Sequence, residues 1–347
     1  MHEYAFDTEL VRLAILLGVV VSMLYYERYG VTTGGAIVPG YLALFIARPT
    51  QIAATYLVAT ITYWIVQKHL RPRWMLWGRR LFESEILVSL VLQSISVGFL
   101  LIAVSYFPQV ALLIGIGFLL PGIIAHDMGR QGVRTTIWAS LVCTLIVFGI
   151  VILIGAVRDM VGYSFSLSAI EYQPLKNIYA YPSEWLLLAI VLSVLTSIAL
   201  YHGGFFKQTL LPNSLRTGGF VTAGYLALFV TRPLDLLFVV FCATVSYLIV
   251  TKYLMKKAIL FGRSKLAIMV LTGMAITWLV EIIITLSEST YVPWLGFGAI
   301  TPTVVALLAN DAQRQGPIQT LLGSGLSTLI VFVLMTILYY GYTLLVG

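Results

Sequence analysis

Residues 33–49 read TGGAIVPGYLALFIARP, and residues 217–233 read TGGFVTAGYLALFVTRP. Eleven of these seventeen positions are identical at a constant offset of 184 residues. Both stretches lie in strongly apolar sequence, and each ends with an arginine that directly precedes a proline. A polar, glycine-rich stretch that occurs twice inside an apolar chain indicates a duplicated membrane unit, with functional machinery at the duplicated stretch.

The composition places nearly the whole chain in a membrane. Of the 347 residues, 60% are hydrophobic and 10% are charged, and the mean hydropathy is +0.96. Soluble domains carry about 25% charged residues, so this chain needs lipid as its solvent. Its net charge of +7 does not indicate nucleic-acid binding, because the lysines and arginines cluster in short loops, where such residues orient a membrane protein.

The apolar pattern predicts an all-α, polytopic membrane helical bundle made of two parallel repeats. We expect residues 1–156 to form the first membrane repeat, 157–183 an extracytoplasmic connector, and 184–347 the second repeat. Each repeat contains six apolar segments: 10–26, 34–48, 50–67, 85–106, 110–125 and 133–156 in the first, and 184–201, 218–232, 234–251, 265–287, 294–309 and 317–340 in the second.

Two segments in each repeat are short and interrupted by glycine or proline. Segments 34–48 and 110–125 would reach only about 22 and 24 Å as helices, against a hydrocarbon core of about 30 Å. Short, broken segments at matching places in two halves point to a transport site, because broken backbone is tolerated where it lines a cavity or is buried. The predicted substrate path comprises Gly34, Gly35, Pro39, Gly40, Tyr41, Arg48, Gly218, Gly219, Gly224, Tyr225 and Arg232.

Loop charge favours one topology. If all six segments of each repeat cross the membrane, 16 of the 21 lysines and arginines fall on one side. If both short segments instead dip in and return, the split falls to 13 against 8. The positive-inside rule therefore favours twelve crossings with both termini outside, and the re-entrant version stays open as an alternative.

Arg48 and Arg232 each end a short broken segment on the sparsely charged side. One interpretation is that they reach towards the membrane interface with their long side chains. The other is that they contact an anion at the mouth of a pathway, since charge near the membrane is costly and is usually retained for use.

A second polar element is also duplicated. In PGIIAHDMGRQG (121–132) and ANDAQRQG (309–316), the residues Asp127, Arg130 and Gln131 match Asp311, Arg314 and Gln315, and the second copy has three extra residues after its proline. An acid and a base three positions apart lie on the same side of a helix. These six residues are either a helix-end cap with a local salt bridge or a docking surface for a cytoplasmic partner.

Two basic loops, 68–80 and 252–265, mix cations with Trp, Leu and Phe. This pattern favours helices on anionic lipid head groups over the alternative, binding of a polyanionic substrate.

The sequence lacks GxxxxGK[ST], GxSxG and HExxH motifs, and its four histidines are scattered. We therefore expect no metal, no cofactor and no catalytic residues in this chain, and we identify Glu281 as the clearest carboxylate at membrane depth.

With these motifs in place, the chain resembles the CapC/PgsC family, the membrane subunit of bacterial poly-γ-glutamate synthases. The resemblance rests on VPGYL, on LWGRR, and on PGIIAHDMGRQG, which occur in the family's order and spacing. This chain resembles two such subunits fused in tandem. The second copy departs from the pattern where Val38-Pro39 becomes Thr222-Ala223, where Pro121-Gly122 becomes Pro302-Thr303, and where three residues are inserted before Asn310. Where the family has Asn, the first copy has His126 and the second copy keeps Asn310.

The resemblance implies a multi-pass protein of the bacterial cytoplasmic membrane that is not an enzyme alone. It implies a cytosolic, Mur-like, ATP-dependent amide ligase as partner, together with an extracytoplasmic accessory subunit and the poly-γ-glutamate polymer. The membrane subunit would anchor the ligase and help export the polymer. The alternative function is a stand-alone secondary transporter for small organic anions. Such a carrier should bury ionisable groups, and from the sequence we expect the spans to be nearly devoid of them.

Overall fold

The computed structural model describes residues 8–104, 116–161, 180–182, 185–202, 215–260, 262–287, 291, 293–294 and 300–346. Regular structure in these ranges is helical, with no strand, which confirms the all-α prediction. The chain divides into two compact units, Met1–Ser168 and Ala169–Gly347. This division falls inside the predicted connector 157–183, most of which lies outside the described residues.

The first unit contains α1 (Thr8–Tyr29), α2 (Val38–Leu44), α3 (Pro49–Tyr63), α4 (Arg71–Trp74), α5 (Gly78–Val104), α6 (Leu120–Gln131) and α7 (Val133–Val161). The second contains α8 (Leu186–His202), α9 (Thr222–Leu228), α10 (Pro233–Leu248), α11 (Met255–Lys257), α12 (Gly262–Leu286), α13 (Thr301–Gln315) and α14 (Pro317–Val346). In both units a π-helical stretch joins two α-helices, Trp64–Leu70 between α3 and α4 and Ile249–Leu254 between α10 and α11.

Among the residues that the structure describes, six helical stretches are long and apolar enough to cross a membrane. They are Leu10–Tyr29, Gly78–Phe99, Val133–Met160, Pro233–Lys257, Gly262–Ile284 and Pro317–Leu344. The apolar helix Leu186–His202 is shorter. These lengths fit a hydrocarbon core of about 30 Å, and the protein is therefore a multi-pass membrane protein built as a helical bundle.

The first predicted short segment in each copy forms a helix of only seven residues, α2 or α9. Two consecutive glycines precede each helix with φ of 79° and 121° in the first unit and 72° and 103° in the second. Only glycine adopts such angles readily, so these pairs turn the chain before the helix starts. After each short helix, the next one begins at a proline, which is favoured at a first helical position.

Segment 33–48 leads from one end of the first unit towards the other. Thr33 lies beside Ser22 of α1, whereas Gly40 packs against Ala14, Ile15 and Gly18, which are earlier in α1. The segment is therefore antiparallel to α1.

The following helix returns the chain to its starting end. Thr55 contacts Ile116 and Gln67 contacts Gly129, so α3 runs parallel to α6. Since α6 ends at Gln131 beside Thr32, α3 also leads back towards Thr32. This reversal favours a crossing segment over one that dips in and returns.

The second predicted short segments, 110–125 and 294–309, lie partly outside the described residues. Their described parts contribute to α6, with 12 residues, and α13, with 15. Both helices start with proline in their first turn and end at a glycine of positive φ, Gly132 or Gly316. The three extra residues of the second copy thus lengthen one helix at its N-terminal end.

Candidate functional site

The TGG turn at the start of each duplicated stretch has the same hydrogen bonds in both units. The Thr33 hydroxyl donates to the Gly35 carbonyl at 3.1 Å, and the Thr217 hydroxyl donates to the Gly219 carbonyl at 3.1 Å. Each threonine also pairs with a serine of the preceding helix, Ser22 in α1 and Ser197 in α8. The duplicated residues therefore build one local structure twice.

A glutamine from the second duplicated element holds this turn from the side. The amide of Thr32 donates to Oε1 of Gln131 at 2.8 Å, and Nε2 of Gln131 donates back to the Thr32 carbonyl. In the second unit, Gln315 makes both bonds to Arg216, each at 2.8 Å. The two duplicated elements are thus one structural assembly, a relationship that sequence reading treated as two separate sites.

The glycines of the predicted substrate path lie against neighbouring segments. A Cβ atom on Gly35 would lie 2.6 Å from Ile123, and one on Gly218 would lie 2.3 Å from Leu308. A Cβ atom on Gly40 would lie 2.7 Å from the Ala14 carbonyl oxygen, and one on Gly224 would lie 3.1 Å from that of Ala189. Small residues allow such close approach between membrane helices.

The remaining members of the predicted path divide by burial. Gly34, Pro39 and Tyr225 are among buried or packed residues, and Tyr41 is half-buried against the first unit's core. Tyr181 donates a hydrogen bond to the Gly224 carbonyl at 2.9 Å. The described contacts of the path's glycines are therefore packing contacts, and the path remains a prediction that now depends chiefly on the arginines.

Arg48 and Arg232 occupy the same backbone position and have different surroundings. Each is the residue before a helix that starts with proline, with φ/ψ of −126°/68° for Arg48 and −121°/81° for Arg232. Nε of Arg232 lies 3.0 Å from Oδ2 of Asp235, which is fully buried. No Asp or Glu among the described residues lies within ion-pair distance of Arg48, which is half-buried.

Asp235 is the centre of a buried cluster in the second unit. Its Oδ1 accepts hydrogen bonds from the Tyr291 hydroxyl and from the Trp294 amide, the latter at 3.3 Å. The Trp294 indole donates to the Asp235 carbonyl at 3.0 Å and stacks at 4.4 Å from the Phe229 ring. A buried carboxylate requires such partners, and sequence reading missed this one.

The residues predicted to dock a partner separate into buried and exposed members. Asp127 is 1% exposed and Asp311 is 6% exposed. Asp311 accepts a hydrogen bond from the Gly219 amide and lies 3.6 Å from Arg216. Because Gln131 and Gln315 hold the turns, only Arg130 and Arg314 are exposed and remain available to a partner.

A buried polar network at the same end of the first unit also escaped sequence reading. Glu85 is fully buried, and its carboxylate lies 2.6 Å from Nδ1 of His126. Nε2 of Gln67 donates to Glu85 at 2.8 Å, and Arg71 donates to Oε1 of Gln67 at 2.8 Å. The sequence feature that could have revealed this network is the pair of acids in LFESEIL (81–87). These two acids interrupt an apolar run that directly follows the basic loop.

The second unit replaces this network with another. The positions of Gln67 and Gly129 are taken by Thr251 and Gln313, at the same offset of 184. Nζ of Lys265, 7% exposed, donates to Gln313 at 2.7 Å. Glu281, the carboxylate that the sequence singled out, is buried at 7% exposure, but it is one of several buried ionisable groups.

The basic loops present exposed aromatic and apolar side chains. In the first unit, Trp74, Met75 and Trp77 are 68, 79 and 67% exposed, and the Arg71 guanidinium lies 4.3 Å from the Trp77 ring centroid. In the second unit, Lys257 lies 4.2 Å from the ring of the exposed Tyr253. Clustered His, Cys, Asp or Glu side chains that could hold a metal are absent from the described part of the chain.

The duplicated elements coincide with two matches to one protein family. The family described as "Capsule biosynthesis CapC" matches residues 17–137 and again residues 198–321. The first match runs from the middle of α1 to the start of α7, and the second runs from the end of α8 to the start of α14. Both therefore include the TGG turn and the glutamine that holds it.

Two relatives align with about one unit of this chain. The PGA biosynthesis protein CapC of Bacillus subtilis (strain 168) is 35% identical over 138 residues, which are 40% of this chain and 91% of that protein. The capsule biosynthesis protein CapC of Bacillus anthracis is 32% identical over 142 residues, again 40% of this chain and 91% of the relative. No solved structure matches the chain. The chain belongs to the capsule biosynthesis CapC family and carries the family's matching region twice.

Proposed function

We propose that this chain is the membrane subunit of a poly-γ-glutamate synthase of the bacterial cytoplasmic membrane. It anchors a cytosolic, Mur-like, ATP-dependent amide ligase and helps an extracytoplasmic accessory subunit to export the polymer. The observation that carries this proposal is the double family match, since the relatives are named for PGA and capsule biosynthesis. The chain itself supplies no catalytic residue in this proposal.

The end of each unit at Gly132 or Gly316 is the proposed ligase-facing end. Arg130 and Arg314 are exposed there, next to the basic loops that we propose lie on anionic lipids. A cytosolic partner with acidic residues would fit the two arginines. Arg48 lies on the far side of α3 from that end, because α3 runs from Arg48 back towards Thr32, and it suits a contact with the polyanion during export.

A mild-detergent pull-down of the tagged chain from its native membrane, with mass spectrometry of the co-purifying proteins, tests the proposal. We expect recovery of an ATP-dependent amide ligase. The matched control is the Arg130→Glu/Arg314→Glu chain, which keeps the glutamines that hold the turns. Recovery of intact, folded chain without a ligase would overturn the anchoring role.

One structural observation favours the second candidate, a secondary transporter for small organic anions. The described helices bury more ionisable groups than the sequence indicated, among them Glu83, Glu85, Asp235 and Lys265. Buried ionisable groups within membrane segments are typical of coupled carriers. Uptake of labelled glutamate or citrate into proteoliposomes that contain the chain alone, with and without a proton gradient, distinguishes this function from the export role.

A further inference from the structure

The two copies of the Arg-Pro element differ three residues after the arginine. Arg48 is followed by Gln51, whereas Arg232 is followed by Asp235 at the same offset of 184. The backbone is the same in both units, because Gln51 N donates to the Arg48 carbonyl at 3.0 Å and Asp235 N donates to the Arg232 carbonyl at 3.0 Å. Only the side chain decides what each arginine contacts.

In the second unit, the arginine binds a carboxylate of its own chain. Asp235 is fully buried, its Oδ2 faces Nε of Arg232 at 3.0 Å, and its Oδ1 is held by Tyr291 and Trp294. The Arg232 guanidinium also lies 5.9 Å from the Tyr291 ring centroid. The contact is an ion pair between a guanidinium and a buried carboxylate at 3.0 Å, and opposite charges this close attract each other strongly, so Asp235 competes with any outside anion for Arg232.

In the first unit, the same position carries a neutral amide. Gln51 is half-buried and cannot neutralise a guanidinium. The Arg48 guanidinium is therefore not neutralised by this position, and three residues further along the chain Gln51 offers an amide that can donate a hydrogen bond to a carboxylate. In the second unit, the arginine of the Arg-Pro element faces a carboxylate. We therefore expect a carboxylate to be the group that suits the Arg48 guanidinium in the first unit.

We propose that Arg48 and Gln51 form a carboxylate-binding site in the first unit, and that Asp235 occupies the corresponding position in the second unit as an internal substitute. The natural ligand would be the α-carboxylate of a γ-linked glutamate chain, and this choice of ligand rests on the proposed function. The two arginines are then not equivalent. One contact site along a chain of repeating carboxylates holds each one briefly, whereas several strong sites would stall it.

Side-chain reactivity measures this difference directly. Membranes that contain the intact chain are treated with p-hydroxyphenylglyoxal, which modifies accessible guanidinium groups, and modification at each arginine is quantified by peptide mass spectrometry. We expect Arg48 to react about fivefold faster than Arg232, the upper end of what a partly exposed ion pair contributes. Equal rates at the two arginines in the wild-type chain would overturn the proposal.

Reciprocal variants control for differences in exposure between the two units. Gln51→Asp should slow modification of Arg48, and Asp235→Gln should accelerate modification of Arg232. Asp235→Asn is the conservative companion, because its amide oxygen still accepts from Tyr291 and Trp294 while the charge is lost. If neither Asp235 variant changes the Arg232 rate in folded protein, the ion pair does not govern the site and the proposal fails.

The ligand is tested with a short γ-linked glutamate oligomer and with the same oligomer after amidation of its carboxylates. We expect only the carboxylate form to protect Arg48 from modification. This protection should occur in the wild-type chain and be lost in Gln51→Asp. Absence of protection, with normal polymer release in cells, overturns the site and leaves the export role. The oligomer could protect Arg48 while deletion of this chain leaves polymer release in cells unchanged. That pair of results would support the binding site and overturn the export role.

Discussion

Gln131 is hydrogen-bonded to both backbone groups of Thr32, a residue 99 positions earlier in the chain. Its Nε2 also reaches the Thr136 hydroxyl at 3.0 Å, across the turn to α7. One amide side chain thus joins the end of α6, the start of α7 and the glycine turn before α2. Gln315 makes the equivalent bonds to Arg216 and Thr320 in the second unit.

Replacing Gln131 with leucine should therefore destabilise the first unit. The amide and carbonyl of Thr32, a residue 6% exposed, would lose their partners, which costs about 1–3 kcal/mol for each buried group left unpaired. Thermal unfolding of the purified chain in detergent measures the loss. Arg130→Gln, at the exposed neighbouring position, is the control; an unfolding temperature of Gln131→Leu equal to that of the control would contradict the structural role.

The crossing of α1 and α2 should be equally sensitive to a single methyl group. A Cβ atom on Gly18 would lie 2.4 Å from the Gly40 nitrogen, so Gly18→Ala forces two helices apart. Overpacking of this kind typically costs about 1–3 kcal/mol. The matched control is Gly149→Ala in α7, where the new methyl group meets no atom within 4 Å. If the two variants are equally stable in the same detergent, the close contact between Gly18 and Gly40 is contradicted.

Gln67 and Gly129 should be energetically coupled. A Cβ atom on Gly129 would lie 2.3 Å from Nε2 of Gln67, so Gly129→Ala should be destabilising. Gln67→Thr places the second unit's residue there and removes the clash, while Glu85 loses a donor. We expect Gly129→Ala to be less harmful in the Gln67→Thr background, with a coupling energy of about 0.5–3 kcal/mol. A double-mutant cycle of unfolding free energies checks this, and additive effects would exclude the contact.

Charge reversal at Arg130 and Arg314 should weaken association with the ligase. Both side chains are exposed, and neither belongs to the bonds that hold the turns. Two long-range charge changes at an interface mainly alter the association rate and its dependence on salt. Quantitative co-purification at low and high salt measures the effect. Unchanged ligase recovery from both conditions would leave these arginines without a docking role.

Loss of the Arg48 side chain should lower the amount of extracellular polymer, while ligase recovery stays at the wild-type level. The double variant Arg48→Ala/Arg232→Ala should release no less than Arg48→Ala alone, because Asp235 already neutralises Arg232. Polymer is measured in the culture medium and in the cell fraction, in cells with equal amounts of inserted chain. Wild-type release by the double variant would remove the arginines from the export path.

The helical class, the two copies and the short broken segments could all be predicted because each is expressed locally in the chain. Apolar content, glycine pairs and Arg-Pro steps lie within a few residues of one another. The candidate site residues remain a prediction, and the sequence left open whether Asp127 and Gln131 are buried in a helix-end cap or available to a partner; the structure buries Asp127 and bonds Gln131 to Thr32. Asp127 and Gln131 come at the end of an apolar segment, and this pattern is equally typical of an exposed helix end and of a buried one.

The Asp235 site is visible in the sequence when the two copies are aligned. The change from Gln51 to Asp235 places an acid three residues from an arginine, a spacing at which helical side chains meet. The Glu85–His126 pair could not be found in this way, because 41 positions separate its members and the second copy carries neither residue at the corresponding positions.

Hydropathy, periodicity and repetition are properties of neighbouring residues, so they settled that this chain is a helical membrane protein with a duplicated unit. Which polar groups are inside was decided by packing between segments far apart in the chain. Gln131 reaches Thr32, and Gln315 reaches Arg216, because α6 and α13 fold back beside the glycine turns. In lipid each buried polar group needs a partner, and only the tertiary contacts determine which partner it has.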